Sequence, residues 1–392
     1  MNSIMSQKYR HQRIGFLVDK YTFRGTTIAT WDYAFYNEKL LHNFSIIISP
    51  KTKSSEDIIN VFRRFDVTFK IMFYDKWNEV EELCRKYEID AVYIIKYGKK
   101  DEFVLSNIPT FIHCVFTTEE PHGTVYCGVS DSVAEKNNFI YSLDEKQNFG
   151  NENTRDFLLT SVPKSGPLPK DANKDQKFNN TMYIQKRVKF PVVNHIVQLP
   201  EIEKGNKDYR NLLEIPKEAV VFGRHGGADT FDIPFVKNVI LKFLCENKNI
   251  YFIFAGERPN ILKNIEHSHI IYIEPFSDLK IKRKFINTCD AMLDACSLGQ
   301  SFGLSILEFS FCNKPVITWN GGTLHNQHLR NLGNKGLLYN NENDLVELLT
   351  NFIENKDEIL KKDWKIDIFT PEYVMNQFKS VFLDSLVSYS MI

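Results

Sequence analysis

Short apolar runs alternate with longer amphipathic stretches along most of this chain, and the alternation predicts strands separated by helices. In the first half, Ile14 to Val18 reads as a buried strand, and a loop through Arg24-Gly25-Thr26-Thr27 leads into a helix from Ile28 to Leu41. Phe44 to Ile48 is strand-like, Ser54 and Ser55 cap a helix reaching Phe65, and Val67 to Phe73 is a third strand. A helix over Asn78 to Tyr87 and strands at Ala91 to Ile95, Thr110 to Val115 and Val125 to Val129 follow. The second half repeats the rhythm. Apolar runs at Val192 to Leu199, Ala219 to Phe222, Ile250 to Ala255, Ile270 to Ile273, Ala291 to Leu293 and Pro315 to Thr318 are separated by helices. Those helices run from Pro234 to Cys245, after Arg258, from Leu279 to Thr288 and over 302–312.

Such alternation implies an α/β fold with mostly parallel sheets covered on both faces. Residues 137–187 interrupt it with a long Asn-, Lys-, Asp-, Gly- and Pro-rich insertion holding one short strand at Phe157 to Thr160. Two α/β units on either side predict two doubly wound, Rossmann-like domains facing across a cleft, with ligands at the strand carboxyl ends. The expected division is 1–195, 196–365, and a C-terminal helical segment, 366–392, packing back on the first domain.

Composition narrows the partners. The 392 residues are 43% hydrophobic and 25% charged, with formal net charge zero, so nothing pulls the whole chain toward nucleic acid. The basic cluster Lys280, Lys282, Arg283 and Lys284 reads as a solvated helix face. The seven cysteines are scattered without a CxxC, which fits a reducing, cytoplasmic compartment. Neither a signal peptide nor a transmembrane run is expected, leaving peripheral membrane contact as the most that lipid could offer.

The densest chemistry lies in residues 299–308, GQSFGLSILE. A glycine-bearing loop opens a helix there, and exposed helix amides near Phe302, Gly303 and Leu304 form an anion site. Glu308 shares a face with Leu304 one turn on, and an acceptor-only carboxylate suits ribose hydroxyls. Gly223 to Gly227 follows a strand and precedes a helix, the position of a phosphate loop, with Arg224 offering a permanent charge. Gly25 and Thr26 occupy the equivalent turn of the first half, where they touch a diphosphate or acceptor, or simply start a helix. His113 ends a strand, where it meets a sugar hydroxyl, acts as a base, or is merely packed; Glu119, Glu120 and His122 follow it. Asn320-Gly321-Gly322 permits close backbone approach to a ligand. His325 and His328 lack companions for a metal site, and none is expected.

At these residues the chain resembles the GT-B nucleotide-sugar glycosyltransferases, most closely the retaining family of bacterial mannosyltransferases and sucrose synthases. GQSFGLSILE followed by NKPVIT has that family's spacing, with Glu308 at the ribose-binding position. Gly223-Arg224 matches its diphosphate motif, RGTTIATWDYA its first-domain glycine loop, and His113 its donor-contacting histidine. The resemblance implies a UDP- or GDP-sugar donor, no permanently bound cofactor, and a glycan or glycolipid acceptor near Thr26, Thr27 and Trp31. Arg224, Gln300 and His113 are the implied catalytic residues. Two departures stand out. Gln300 replaces the family's first glutamate, and the lysine after the arginine is missing, leaving Arg258 or His225 to supply its charge. Two alternatives stay open, a GT-B nucleotide-sugar epimerase and a non-enzymatic binding protein descended from a transferase.

Overall fold

Two six-stranded parallel sheets carry the chain. The computed structural model describes residues 11–135, 138–142, 183–187, 190–203, 205 and 207–389. The first sheet has the order β3-β2-β1-β4-β5-β6, built from β1 (Arg13–Leu17), β2 (Phe44–Pro50), β3 (Lys70–Tyr74), β4 (Ala91–Lys96), β5 (Thr110–Cys114) and β6 (Val125–Gly128). Helices α1 (Gly25–Lys39), α2 (Ile59–Asp66), α3 (Val80–Lys86) and α4 (Asp131–Ala134) accompany it. Strands flanked on both faces can be apolar throughout, and Phe16, Ile47, Val92 and Phe111 are accordingly buried.

β7 (Asn138–Ser142) and β8 (Tyr183–Arg187) pair antiparallel, so the ends of the insertion are regular where an irregular stretch was expected. The strand expected at Phe157 to Thr160 lies outside the described residues. The second sheet has the order β11-β10-β9-β12-β13-β14. Its strands are β9 (Val220–Gly226), β10 (Ile250–Gly256), β11 (Ile270–Ile273), β12 (Ala291–Leu293), β13 (Val316–Trp319) and β14 (Gly336–Tyr339). Around it lie α5 (Pro234–Glu246), α6 (Leu279–Thr288), α7 (Leu304–Phe311), α8 (Gln327–Leu332), α9 (Glu342–Glu354) and α10 (Lys356–Leu360). The closing helices, α11 (Pro371–Phe378) and α12 (Asp384–Tyr389), are joined by a π turn. From this segment, Phe378 stacks on Phe16 and Phe382 on Phe111 of the first sheet, and both pack at an angle against Tyr93.

Four local expectations fail for identifiable reasons. Val192 to Leu199 is no strand: beyond one bridge from Val192 to Gly128, its buried residues pack as a connector, and Val197 N–H donates to Phe369 O at 2.9 Å. Helix α2 starts at Ile59 because Asp57 accepts the backbone N–H groups of Tyr21 and Ser54, holding the Ser54–Ile58 stretch in a turn. After Arg258 the chain makes only a single 3₁₀ turn, Asn260–Leu262. Finally, Gly223 and Arg224 lie inside β9 rather than in a loop after it.

Candidate functional site

Gly303 adopts a left-handed conformation, φ +85°, at the cap of α7. A Cβ there would lie 2.9 Å from His328 Cβ, so glycine is required for backbone shape and for space. Gly299 (φ +72°) is held as tightly, since any side chain would collide with the His325 carbonyl. The loop between them thus presents the first amides of α7 in a fixed direction. Across the seam stands the N-terminus of α1: a Cβ built on Gly25 would lie 3.8 Å from Leu304 Cδ2. Ser130 Oγ donates to Ser301 O at 2.5 Å, a second tie between the domains at this loop. The two expected glycine loops therefore meet, each opening a helix.

Glu308, one turn into α7, is buried and carries two partners. Lys282 Nζ donates to Oε1 at 2.6 Å, and His225 Nε2 lies 2.9 Å from Oε2. Burial alone would raise the carboxyl's pKa, but the Lys282 charge and the His225 contact overcome it and bring it down to about 2. His225 itself is pushed down by burial, so Lys282 is the ionic partner, while His225 Nε2 approaches Oε2 without hydrogen-bond geometry. The expectation of a solvated basic face on α6 is wrong at this residue. Lys282 lies on the buried side with Phe285 and Ile286, three and four positions on, and that spacing was visible in the sequence.

Arg224 is elsewhere. Successive strand residues face opposite sides of a sheet. His225 packs with Phe285 and Phe309, while the Arg224 guanidinium stands 5.4 Å over Phe231 on the other face. Its Nη2 donates to Gly227 O at 3.1 Å and to Thr230 Oγ1. Burial lowers its pKa, opposed first by Asp294 and also by Asp232. Asp294 links this group to Gln300, whose Nε2 donates to Oδ1 at 3.5 Å, while Thr318 Oγ1 donates to Oδ2 at 2.8 Å. Sequence reasoning missed Asp294, although a carboxylate ending the buried run at Ala291 to Leu293 is a signal of its own. Arg224 feels the charge of Asp294 and Gln300 is bonded to it, while Glu308 faces the opposite side of the sheet from Arg224.

Other expected residues lie away from the seam or are turned from it. His113 is fully buried among Tyr33, Tyr93, His195 and Phe382, its Nδ1 2.6 Å from Tyr93 OH, and burial pushes its pKa well down. Its burial comes from Tyr33, Tyr93 and Phe382, which pack around the ring. The Phe302 ring packs on His195 and Phe369 as an interdomain plug, so its side chain does not face an anion at the loop. Arg258 pairs with Glu266 at 2.9 Å and lies over Tyr272. Glu119 and Glu120 are exposed, and His122 is held between Lys96 and the Glu120 carbonyl. His328 braces the loop, with Nδ1 3.3 Å from Gln300 N. Gly321 and Gly322 pack against Trp319 and Gly299.

Two first-domain residues, also missed, complete the seam. Arg64 donates to Ser277 O at 3.1 Å, and its guanidinium lies 3.8 Å over the Trp31 ring. Asp32, 3.9 Å from Arg64, is close enough to the Lys282–Glu308 pair to feel both charges.

Two parallel six-stranded sheets with flanking helices, arranged as two Rossmann-like domains, define the GT-B architecture. No protein-family model and no curated protein sequence matches the chain. Solved structures share its fold along nearly its whole length. A glycosyltransferase from Rickettsia africae is 14% identical with a TM-score of 0.59, the match covering 98% of this chain and 97% of that one. Anabaena Alr3699/HepE, in complex with UDP and glucose, is 10% identical with a TM-score of 0.61, over 95% and 100%. UDP-GlcNAc 2-epimerase from Neisseria meningitidis, bound to UDP-GlcNAc, is 11% identical with a TM-score of 0.54, over 94% and 100%. Among the described residues, no helix is long and apolar enough to cross a membrane.

Proposed function

We propose that this chain is a glycosyltransferase that moves a sugar from a UDP- or GDP-type donor to a hydroxyl of a glycan or glycolipid. The observation that carries the proposal is the meeting of Gly25 and Leu304, where two helix N-termini converge on one interdomain seam at the carboxyl edges of two parallel sheets. Amides of α7 stabilise the departing diphosphate without a metal, and the charge of Arg224 acts only from the opposite face, beside Asp294. Glu308, ionised, keeps free lone pairs for ribose hydroxyls beside its Lys282 bond. Gln300 contacts the sugar. The resemblance to retaining transferases supports retention of configuration: the bond from the anomeric carbon to the donor phosphate oxygen breaks, the acceptor oxygen bonds that carbon on the same face, and the leaving phosphate takes the acceptor proton. Closure of the seam keeps water from the donor. The solved structure holding UDP and glucose on the same architecture supports a uridine donor. The epimerase alternative relied on Glu119, Glu120 and His122, which are engaged in their own loop or exposed, and this favours the transferase even though an epimerase shares the architecture.

The test is a thermal-shift series on the full chain with UDP, GDP, ADP and dTDP sugars, with and without EDTA, followed by an assay for nucleotide release. A rise for one nucleotide family, insensitive to EDTA and accompanied by release, is expected. A rise without release in the presence of any acceptor would assign a binding protein instead. No rise with any nucleotide would overturn the site.

A further inference from the structure

The loops after β1 and β2 and the first turn of α2 border an open cavity of about 180 Å³ lined by Tyr21, Lys53, Ser54, Asp57, Ile59 and Phe62. Its frame is stiffly laced. Asp57 Oδ1 accepts Tyr21 N–H and Oδ2 accepts Ser54 N–H, both at 2.8 Å, while Ile58 N–H donates to Tyr21 O at 2.8 Å. Both Asp57 oxygens are thus engaged by backbone donors, although its charge still acts on the cavity and, after burial, helps to raise the pKa of the Tyr21 hydroxyl. Phe62 forms an aromatic wall, edge-on to Tyr21 at 5.0 Å, and the Lys53 ammonium stands 4.3 Å above its ring. The neighbouring lysines, Lys20 and Lys51, are paired with Glu56 and Asp75, whereas Lys53 has no carboxylate partner among the described residues. The cavity thus offers a cation without a carboxylate partner, the Ser54 hydroxyl, whose oxygen already accepts Glu56 N–H at 3.2 Å, and the part of the Phe62 ring beside Lys53.

We propose that this cavity is an acceptor subsite for a saccharide bearing an anionic group, a phosphate or a carboxylate, with the anion on Lys53 and Ser54 and a sugar face against Phe62. The volume is that of about six waters, enough for the anion and one edge of the ring. A cation already over an aromatic face draws an anion and an apolar sugar face to the same spot. Position supports the role. Tyr21 and Gly25 are four residues apart on one loop, so the cavity lies within about 14 Å of the seam, close enough for a bound acceptor to present a hydroxyl there. The assignment rests on the transferase reading above.

The experiment measures binding to the full chain by ligand-observed NMR, using glucose 1-phosphate, glucuronate, methyl glucoside and inorganic phosphate. Phosphatidylglycerol vesicles, against phosphatidylcholine vesicles, form a separate arm. The variants are Lys53→Met and Ile59→Trp; both residues are exposed, and the second fills the cavity. Expected is a preference of tenfold or more for the anionic sugars over methyl glucoside, lost in both variants, with the UDP thermal shift unchanged. Anion-dependent vesicle binding lost in the same variants assigns a lipid-linked source of the same chemistry. Phosphate binding as tight as glucose 1-phosphate removes the sugar from the proposal, and no anion preference in a chain that does respond to UDP overturns it. A chain that shows the anion preference but no response to any nucleotide would keep the subsite and sink the transferase reading.

Discussion

Lys282 and Glu308 come from two different helices of the second domain and meet at 2.6 Å with both side chains buried. Removing one partner of a buried pair leaves an uncompensated charge, which costs about 3–5 kcal/mol. Lys282→Met is therefore expected to lower urea stability by about that amount, while Lys282→Met with Glu308→Leu recovers most of it. Equal losses in the single and double variants would show that the pair is not the reason. The pH dependence has a definite sign. Glu308 in the folded state is held at about 2, below its ordinary 4.5, so its contribution is present above pH 4.5 and is lost as pH falls toward 2.

Asp32 titrates in the opposite sense. Burial raises its carboxyl to about 7; Arg64 and Lys282 oppose this and Glu308 adds to it. Between pH 4 and 7 the folded chain holds a proton that the unfolded chain has lost, so stability falls as pH rises through that window. Asp32→Asn should flatten this slope, which urea midpoints at pH 5 and pH 8 would register as a gap narrowed by about 1 kcal/mol or more. An unchanged gap would place the titration elsewhere.

The alternation of apolar runs was enough to read the first sheet and five strands of the second, because parallel strands covered on two faces are apolar throughout; the edge strand β14 was missed, since only Tyr339 of its four residues is buried. It misled at Val192 to Leu199, where burial against the C-terminal helices makes the same pattern without a ladder. The 299–308 loop was legible because αL glycines and a helix start are local properties. What stayed hidden is long-range. Glu308 meets Lys282 only through the packing of α6 on α7, and Arg224 parts from Glu308 only because β9 runs on to Gly226, sending neighbouring side chains to opposite faces. His113 resembled a ligand contact because its position in the chain cannot reveal that Tyr93 and Phe382 enclose it.

Gly25 separates stability from binding. Its position leaves room for a side chain, the nearest contact being Leu304 Cδ2 at 3.8 Å, and α1 has no acidic residue in its first turn. Gly25→Asp should keep or raise the melting temperature, since an acid at a helix start is worth about 0.3–1 kcal/mol. The same carboxylate repels a diphosphate, so the UDP-induced shift should vanish. Retained UDP binding in a stable Gly25→Asp variant would mean that the phosphates do not lie between α1 and α7.

Gln300 tests the sugar side of the site. The resemblance alone favours Gln300→Glu as a gain, restoring the family's glutamate. The structure reverses that expectation. Gln300 Nε2 donates to Asp294 Oδ1 at 3.5 Å, and Asp294 is buried. A glutamate there would face the aspartate with no proton to share, and close carboxylates cannot both ionise readily. Turnover should therefore fall, by about tenfold for each ~1.4 kcal/mol of lost transition-state stabilisation. A pH–rate profile on both chains checks this. A variant faster than the parent at every pH would show that Asp294 does not constrain the residue at 300, and that a negative charge beside the transferred sugar is what this site lacks.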